Sequence, residues 1–196
     1  MSFGNWFNRE KEEIPEKFHS YESGKAFENC MICDKYLLDP GTRYMIEKAF
    51  KQYSGFQSKD VLFEFAICED CGTSMRADLS KESLDNIQQY FFTNANRVID
   101  MDEYEKNSSV SDLFTQKCII KNINKEDLTE FQMIAYCDGP NLSLSEPPLL
   151  ISELAADEIQ ELISEQTRDE LERFTDDLTG LPPELKELFK DEMILI

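Results

Sequence analysis

The stretch Val61-Leu-Phe-Glu-Phe-Ala-Ile-Cys-Glu-Asp-Cys71 decides how this chain folds. Val61, Phe63, Phe65 and Ile67 fall on one face and Glu64 on the other, the two-residue period of a strand with one side in a core. The strand runs straight into Cys68-Glu-Asp-Cys71, and Gly72 to Ala77 predicts a short helix immediately after. A Cys-x-x-Cys pair between a strand and a helix start lies where helix N-terminal amides can donate to sulfur and offset its charge.

Working upstream, Tyr53 to Asp60 is polar and contains Gly55, as a hairpin loop would, and Tyr44 to Phe50 predicts the partner strand. Asp39-Pro-Gly41 marks a turn. Before it stands a second pair, Cys30-Met-Ile-Cys33, with 34 residues between Cys33 and Cys68. Each pair can set two sulfurs on one tetrahedral ion, and four thiolates close the shell at about 2.3 Å with no open position. Cys30, Cys33, Cys68 and Cys71 are therefore the expected ligands of one structural zinc ion. A redox motif needs one pair and leaves the other unexplained. Four thiolates do not by themselves exclude iron.

The order knuckle, hairpin, Cys-x-x-Cys at a helix start resembles the treble-clef group of zinc modules over residues 28–79. By that resemblance Cys30, Cys33, Cys68 and Cys71 map onto the four ligand positions. The group serves many functions, so the resemblance implies a zinc fold and no particular activity. Its HNH-type nucleases also need catalytic histidines. This chain has only His19, and none follows the second pair. RING-type ubiquitin ligases hold two ions with eight ligands, and Cys118 and Cys137 cannot supply a second such site.

Residues 1–27 read as an arm whose Trp6, Phe7, Ile14 and Phe18 pack on the body, with Phe3, Trp6 and Phe7 as the alternative anchors for a partner. The zinc module is placed at 28–99, with Ser80 capping a helix that carries Leu84, Ile87 and Phe91 on one face. Residues 100–112 are acidic, then small and polar, and predict a linker. Residues 113–196 form the remainder, sharing a core with the zinc module or not. Lys117–Asn122, Phe131–Cys137 and Leu142–Ser145 are candidate strands, the last two joined by Asp138-Gly-Pro-Asn141. Ser152 is a candidate cap for a helix with Ala155, Ile159, Leu162 and Ile163 inward. Thr167-Arg-Asp-Glu170 predicts a capping box for the next helix, lined by Leu171, Phe174 and Leu178 and stopped at Gly180. Pro182-Pro183 opens a short last helix. No long-period repeat of the solenoid kind is visible. The expected class is α+β: a treble-clef-like module, a small antiparallel sheet and C-terminal helices.

The chain carries 20 basic and 40 acidic residues, and half of the net −20 falls in residues 151–196. Such a chain repels phosphate backbones and anionic lipid. Direct nucleic-acid binding is thereby disfavoured, and a protein partner, basic if the charge matters, is the expectation. The opening residues lack a signal peptide's apolar run, and no window approaches a membrane span. Six cysteines without an export signal suit a reducing, cytoplasmic setting. Cys118 and Cys137 sit in apolar runs and are expected in the core. His19 is expected on the surface or packed, and Asp100, Asp102, Glu103 and Glu105 in a solvated charge run without the Gly-centred loop of a calcium site. Phosphate-binding glycine loops are missing, and with one histidine the sequence offers no recognisable Ser-His-Asp triad. The leading expectation is a non-enzymatic, zinc-stabilised interaction module. The alternatives are an enzyme using carboxylates in a cleft between the halves, and a thiol sensor.

Overall fold

β1 (Arg43–Gln52) and β2 (Lys59–Cys68) pair antiparallel with Tyr44 opposite Cys68 and Ile46 opposite Ala66, and a bulge falls at Ala49/Phe50. The computed structural model describes residues 12–53, 59–95, 109–143 and 145–179, without the side chains of 110 and 176–179. The other edge of β1 is taken by β3 (Glu130–Asp138), with Tyr44 opposite Cys137 and Phe50 opposite Phe131. β3 in turn pairs with β4 (Asn141–Leu142) and with β5 (Leu149–Ser152), both antiparallel. The two β sections predicted from the sequence are thus one sheet.

Seven of the ten β1 residues are buried, as befits a central strand covered on both faces. Met45, Glu47 and Ala49 share the face on which the helices lie. These are α1 (Glu69–Asp78), α2 (Lys81–Asn94), α4 (Glu153–Leu162) and α5 (Glu165–Thr179); a short α3 (Val110–Phe114) precedes β3. Phe65 of β2 meets Phe174 of α5 edge-on at 5.4 Å between ring centres. On the other face Lys48 forms a 2.8 Å ion pair with Glu64 and donates to the His19 carbonyl. Glu64 accepts from the Tyr21 amide at 2.7 Å. This nearly buried pair ties the N-terminal segment to the sheet, and the segment adds a bridge from Glu13 to Asn141. Ile14 and Phe18 are buried, as predicted.

Several local expectations need correction. Lys117–Asn122 is a tight loop, not a strand: Cys118 N–H donates to Ile123 O, and Asn122 turns left-handed at φ 55°. Among the described residues of Leu142–Ser145, Leu142 is in a strand and Ser143 and Ser145 are not. Helix α5 begins before the predicted capping box, because Ser164 Oγ accepts from the Thr167 amide at 3.3 Å. Thr167 Oγ1 instead accepts from the Ser80 amide at 3.0 Å. Ser80 caps α2 as predicted, and Ser152 precedes α4 without capping it through its side chain. Phe3, Trp6, Phe7, residues 54–58 of the predicted Tyr53–Asp60 loop, residues 100–108 of the predicted 100–112 linker, the Leu178 side chain, Gly180 and Pro182-Pro183 lie outside the described residues.

Candidate metal centre

The first cysteine pair is shaped by backbone hydrogen bonds before any ligand is considered. Cys30 N–H donates to Lys35 O at 2.9 Å, and Asp34 N–H returns to Cys30 O at 2.8 Å. Closing that loop puts Asp34 at φ 60°, a conformation Asp tolerates better than most residues. Met31 N–H donates to Ala66 O at 3.0 Å, which pins the knuckle to the end of β2. The second pair follows from the strand itself: Cys68 ends β2 at the N-cap of α1, and Cys71 lies in that helix's first turn.

The four sulfurs of Cys30, Cys33, Cys68 and Cys71 all lie within 4.8 Å of one another. Cys33 and Cys68 are 3.7 Å apart. A tetrahedral ion with sulfur at about 2.3 Å needs sulfurs about 3.8 Å apart, so the set can hold one ion with little movement. Cys30 and Cys68 are buried, Cys71 is half-buried and Cys33 is exposed, which places the cluster at the rim of the core.

The electrostatics suit a thiolate cluster. Burial works against charge on Cys30, but the amides of Cys68, Cys33 and Ile32 together outweigh it and bring the thiol down to about 7. Cys68 and Cys71 are pushed up, first by burial and, for Cys71, by hydrogen bonding to the neighbouring thiols. A divalent ion reverses that penalty and expels the protons. Lys35, paired with Asp70 at 3.1 Å, brings a cation beside Cys33 and Cys68.

His19 is no part of this site. Its ring nitrogens contact Gly24 O and Ile14 O at 3.2 and 3.0 Å, bracing the N-terminal segment. Cys118 and Cys137 are buried free thiols, and burial pushes Cys137 up to about 12. The acidic run at Asp100–Glu105 lies outside the described residues. Sequence reasoning missed the Lys48–Glu64 pair, although the hairpin register alone sets those two residues opposite one another. It also missed Glu47, which is fully buried on the helix-covered face.

The order knuckle, hairpin, helix, with four cysteines converging, makes this an α+β protein with a treble-clef-like, zinc-binding type of module. No protein-family model, curated protein or solved structure matches the chain.

Proposed function

We propose that the chain is a non-enzymatic interaction module whose Cys30, Cys33, Cys68 and Cys71 hold one structural zinc ion. The observation that supports this is the mutual distance of the four sulfurs, close enough for four thiolates to surround one ion. A filled shell leaves no coordination position for water or substrate, so the ion's role is to fix the knuckle against β2 and α1. The negative charge of residues 151–196 and the exposed knuckle residues Met31, Ile32 and Tyr36 offer surfaces for a protein partner, a basic one at the acidic end. Among the described residues no helix is long and apolar enough to cross a membrane.

The test is zinc content and stability of Cys68→Ser. The expected outcome is loss of the ion and a destabilisation above the ~4–5 kcal/mol that marks exceptional single changes. A variant that keeps one zinc and unfolds like the unaltered chain defeats the proposal.

A second reading is favoured by one feature: Cys33 is the exposed member of the cluster. A sensor would use it as the point of oxidant entry, with zinc released as thiolates pair. Zinc retained under mild peroxide counts against that reading. The carboxylate-enzyme reading is weaker, because the Glu side chains at the clefts are ion-paired: Glu170 with Arg173 at the cleft of about 260 Å³ that α1 and α5 line, and Glu69 and Glu146 with Arg43 at the cleft of about 110 Å³ beside Cys68.

A further inference from the structure

The loop that replaced a predicted strand, residues 116–125, repeats the zinc knuckle bond for bond. Cys30 N–H to Lys35 O is matched by Cys118 N–H to Ile123 O, both 2.9 Å; Asp34 N–H to Cys30 O is matched by Asn122 N–H to Cys118 O, both 2.8 Å. The bridge Asn29–Tyr36 is matched by Lys117–Asn124. Leu37 N–H to Glu28 O is matched by Lys125 N–H to Gln116 O. Asp34 and Asn122 are the only non-glycine residues with positive φ among those described, at 60° and 55°. Every partner lies 88 positions on from its counterpart.

The two knuckles also dock alike. Met31 N–H donates to Ala66 O on β2, and Ile119 N–H donates to Leu150 O on β5. Cys68 N–H points at Cys30 Sγ at 3.4 Å, and Ser152 N–H points at Cys118 Sγ at 3.2 Å. Cys68 and Ser152 are each the last residue of a strand and the N-cap of a ten-residue helix. Two residues beyond each of those helices stands a capping serine, Ser80 or Ser164, with a hydroxyl three positions later. There the halves cross-cap: Ser80 N–H donates to Thr167 Oγ1 at 3.0 Å, and Ser164 N–H donates to Ser83 Oγ at 2.8 Å. From Ala66 to Ser83 the counterparts all lie 84 positions on.

The sheet register agrees. Tyr44 faces Cys68, and Phe131 faces Ser152, so Tyr44 corresponds to Phe131, 87 positions on. A two-fold axis between β1 and β3 must then pass through a facing pair that is itself 87 apart. That pair is Glu47–Ile134, the middle pair of the ladder that runs from Arg43–Asp138 to Lys51–Glu130.

We infer that residues 116–179 are a second treble clef, related to residues 28–94 by internal duplication, in which Cys118, Lys121, Ser152 and Ala155 occupy the four metal-ligand positions. One thiol is left. Cys118 Sγ accepts from the amides of Lys121 and Ser152 and from the Ser152 hydroxyl, at 3.2 to 3.4 Å. Lys121 turns outward to Glu158, and Ala155 is fully buried. Hydrogen bonds do in this half what an ion can do in the other, and the ligand set fits no metal as it stands. Two module copies with one ligand set predict one zinc per chain.

Restoring the missing sulfurs tests this. Lys121→Cys/Ser152→Cys/Ala155→Cys, refolded with excess zinc or cobalt, is expected to carry one more ion than the unaltered chain by native mass spectrometry. The added cobalt should show thiolate charge-transfer bands, and Cys118→Ala in that background should weaken those bands and the binding. The difference between variant and parent is what is measured, so an error about the first site appears separately, in the parent's own count. Should the triple variant fail to refold, Lys121→Cys/Ser152→Cys keeps Ala155 and presents three thiolates to the same cobalt titration. No additional ion in either variant overturns the inference.

Discussion

Glu47 is fully buried, and burial holds its carboxyl well above the ordinary 4.5. The folded chain therefore keeps a proton that the unfolded chain releases as pH rises through about 4.5. With fewer protons bound in the unfolded state, stability falls as pH increases, by up to about 1.4 kcal/mol per pH unit, until the folded pKa is reached. Glu47→Gln lacks this term. Its stability relative to the parent should be lowest below pH 4.5 and rise as the pH climbs above that value, measured by urea unfolding at each pH. A constant difference would mean that the buried group is ionised. At this scale the cysteines were legible from spacing alone, because metal ligation constrains residue type. Glu47 was not, since nothing in Tyr44–Phe50 distinguishes a buried carboxylate from one at a strand's wet face.

Among the elements, the paired N-termini of α2 and α5 make the most specific demand. Ser83 and Thr167 are fully buried, and each hydroxyl accepts the amide of the other helix's capping serine. Thr167→Val keeps the shape and strands the Ser80 amide, for an expected loss of about 1–3 kcal/mol. Ser83→Ala should do the same to Ser164. The double variant should depart from additivity, because all four hydroxyls belong to one network. Equilibrium denaturation of the four chains measures this, and strict additivity would show two independent caps. The sequence pattern found Ser80 and mistook Thr167 for a cap. A serine or threonine before an apolar run says that an amide will be satisfied, not which one. Lys117–Asn122 was misjudged for a related reason: Ile119 and Ile120 favour strands, and the backbone bonds that close the loop leave no trace in side-chain chemistry.

For the molecule as a whole, β1 couples the two halves, since it pairs with β2 on one edge and β3 on the other. Chelating the ion proposed for the first centre should loosen β2 and so expose an edge of the strand that β3 depends on. Hydrogen exchange with and without chelator should show protection lost in β3 and β5 as well as in β2. Protection that persists across residues 130–152 would mean two separately stable units. The α+β class and the first module were readable from alternation and turn residues. The repeat was not, because its offset drifts from 88 to 87 to 84 and few side chains match across it. What is shared is carried by amides and carbonyls, which every sequence possesses.

The reciprocal caps and the shared strand edge have a consequence for how such a chain changes over generations. In a dimer of identical subunits, every substitution appears twice and must be tolerated on both sides of the axis. Fusion of the copies into one polypeptide lifts that restriction. One half can retain four cysteines while the other lets three of them go, and acidic residues can accumulate at one end alone. The pairing through Glu47 and Ile134 keeps the halves together while their surfaces specialise.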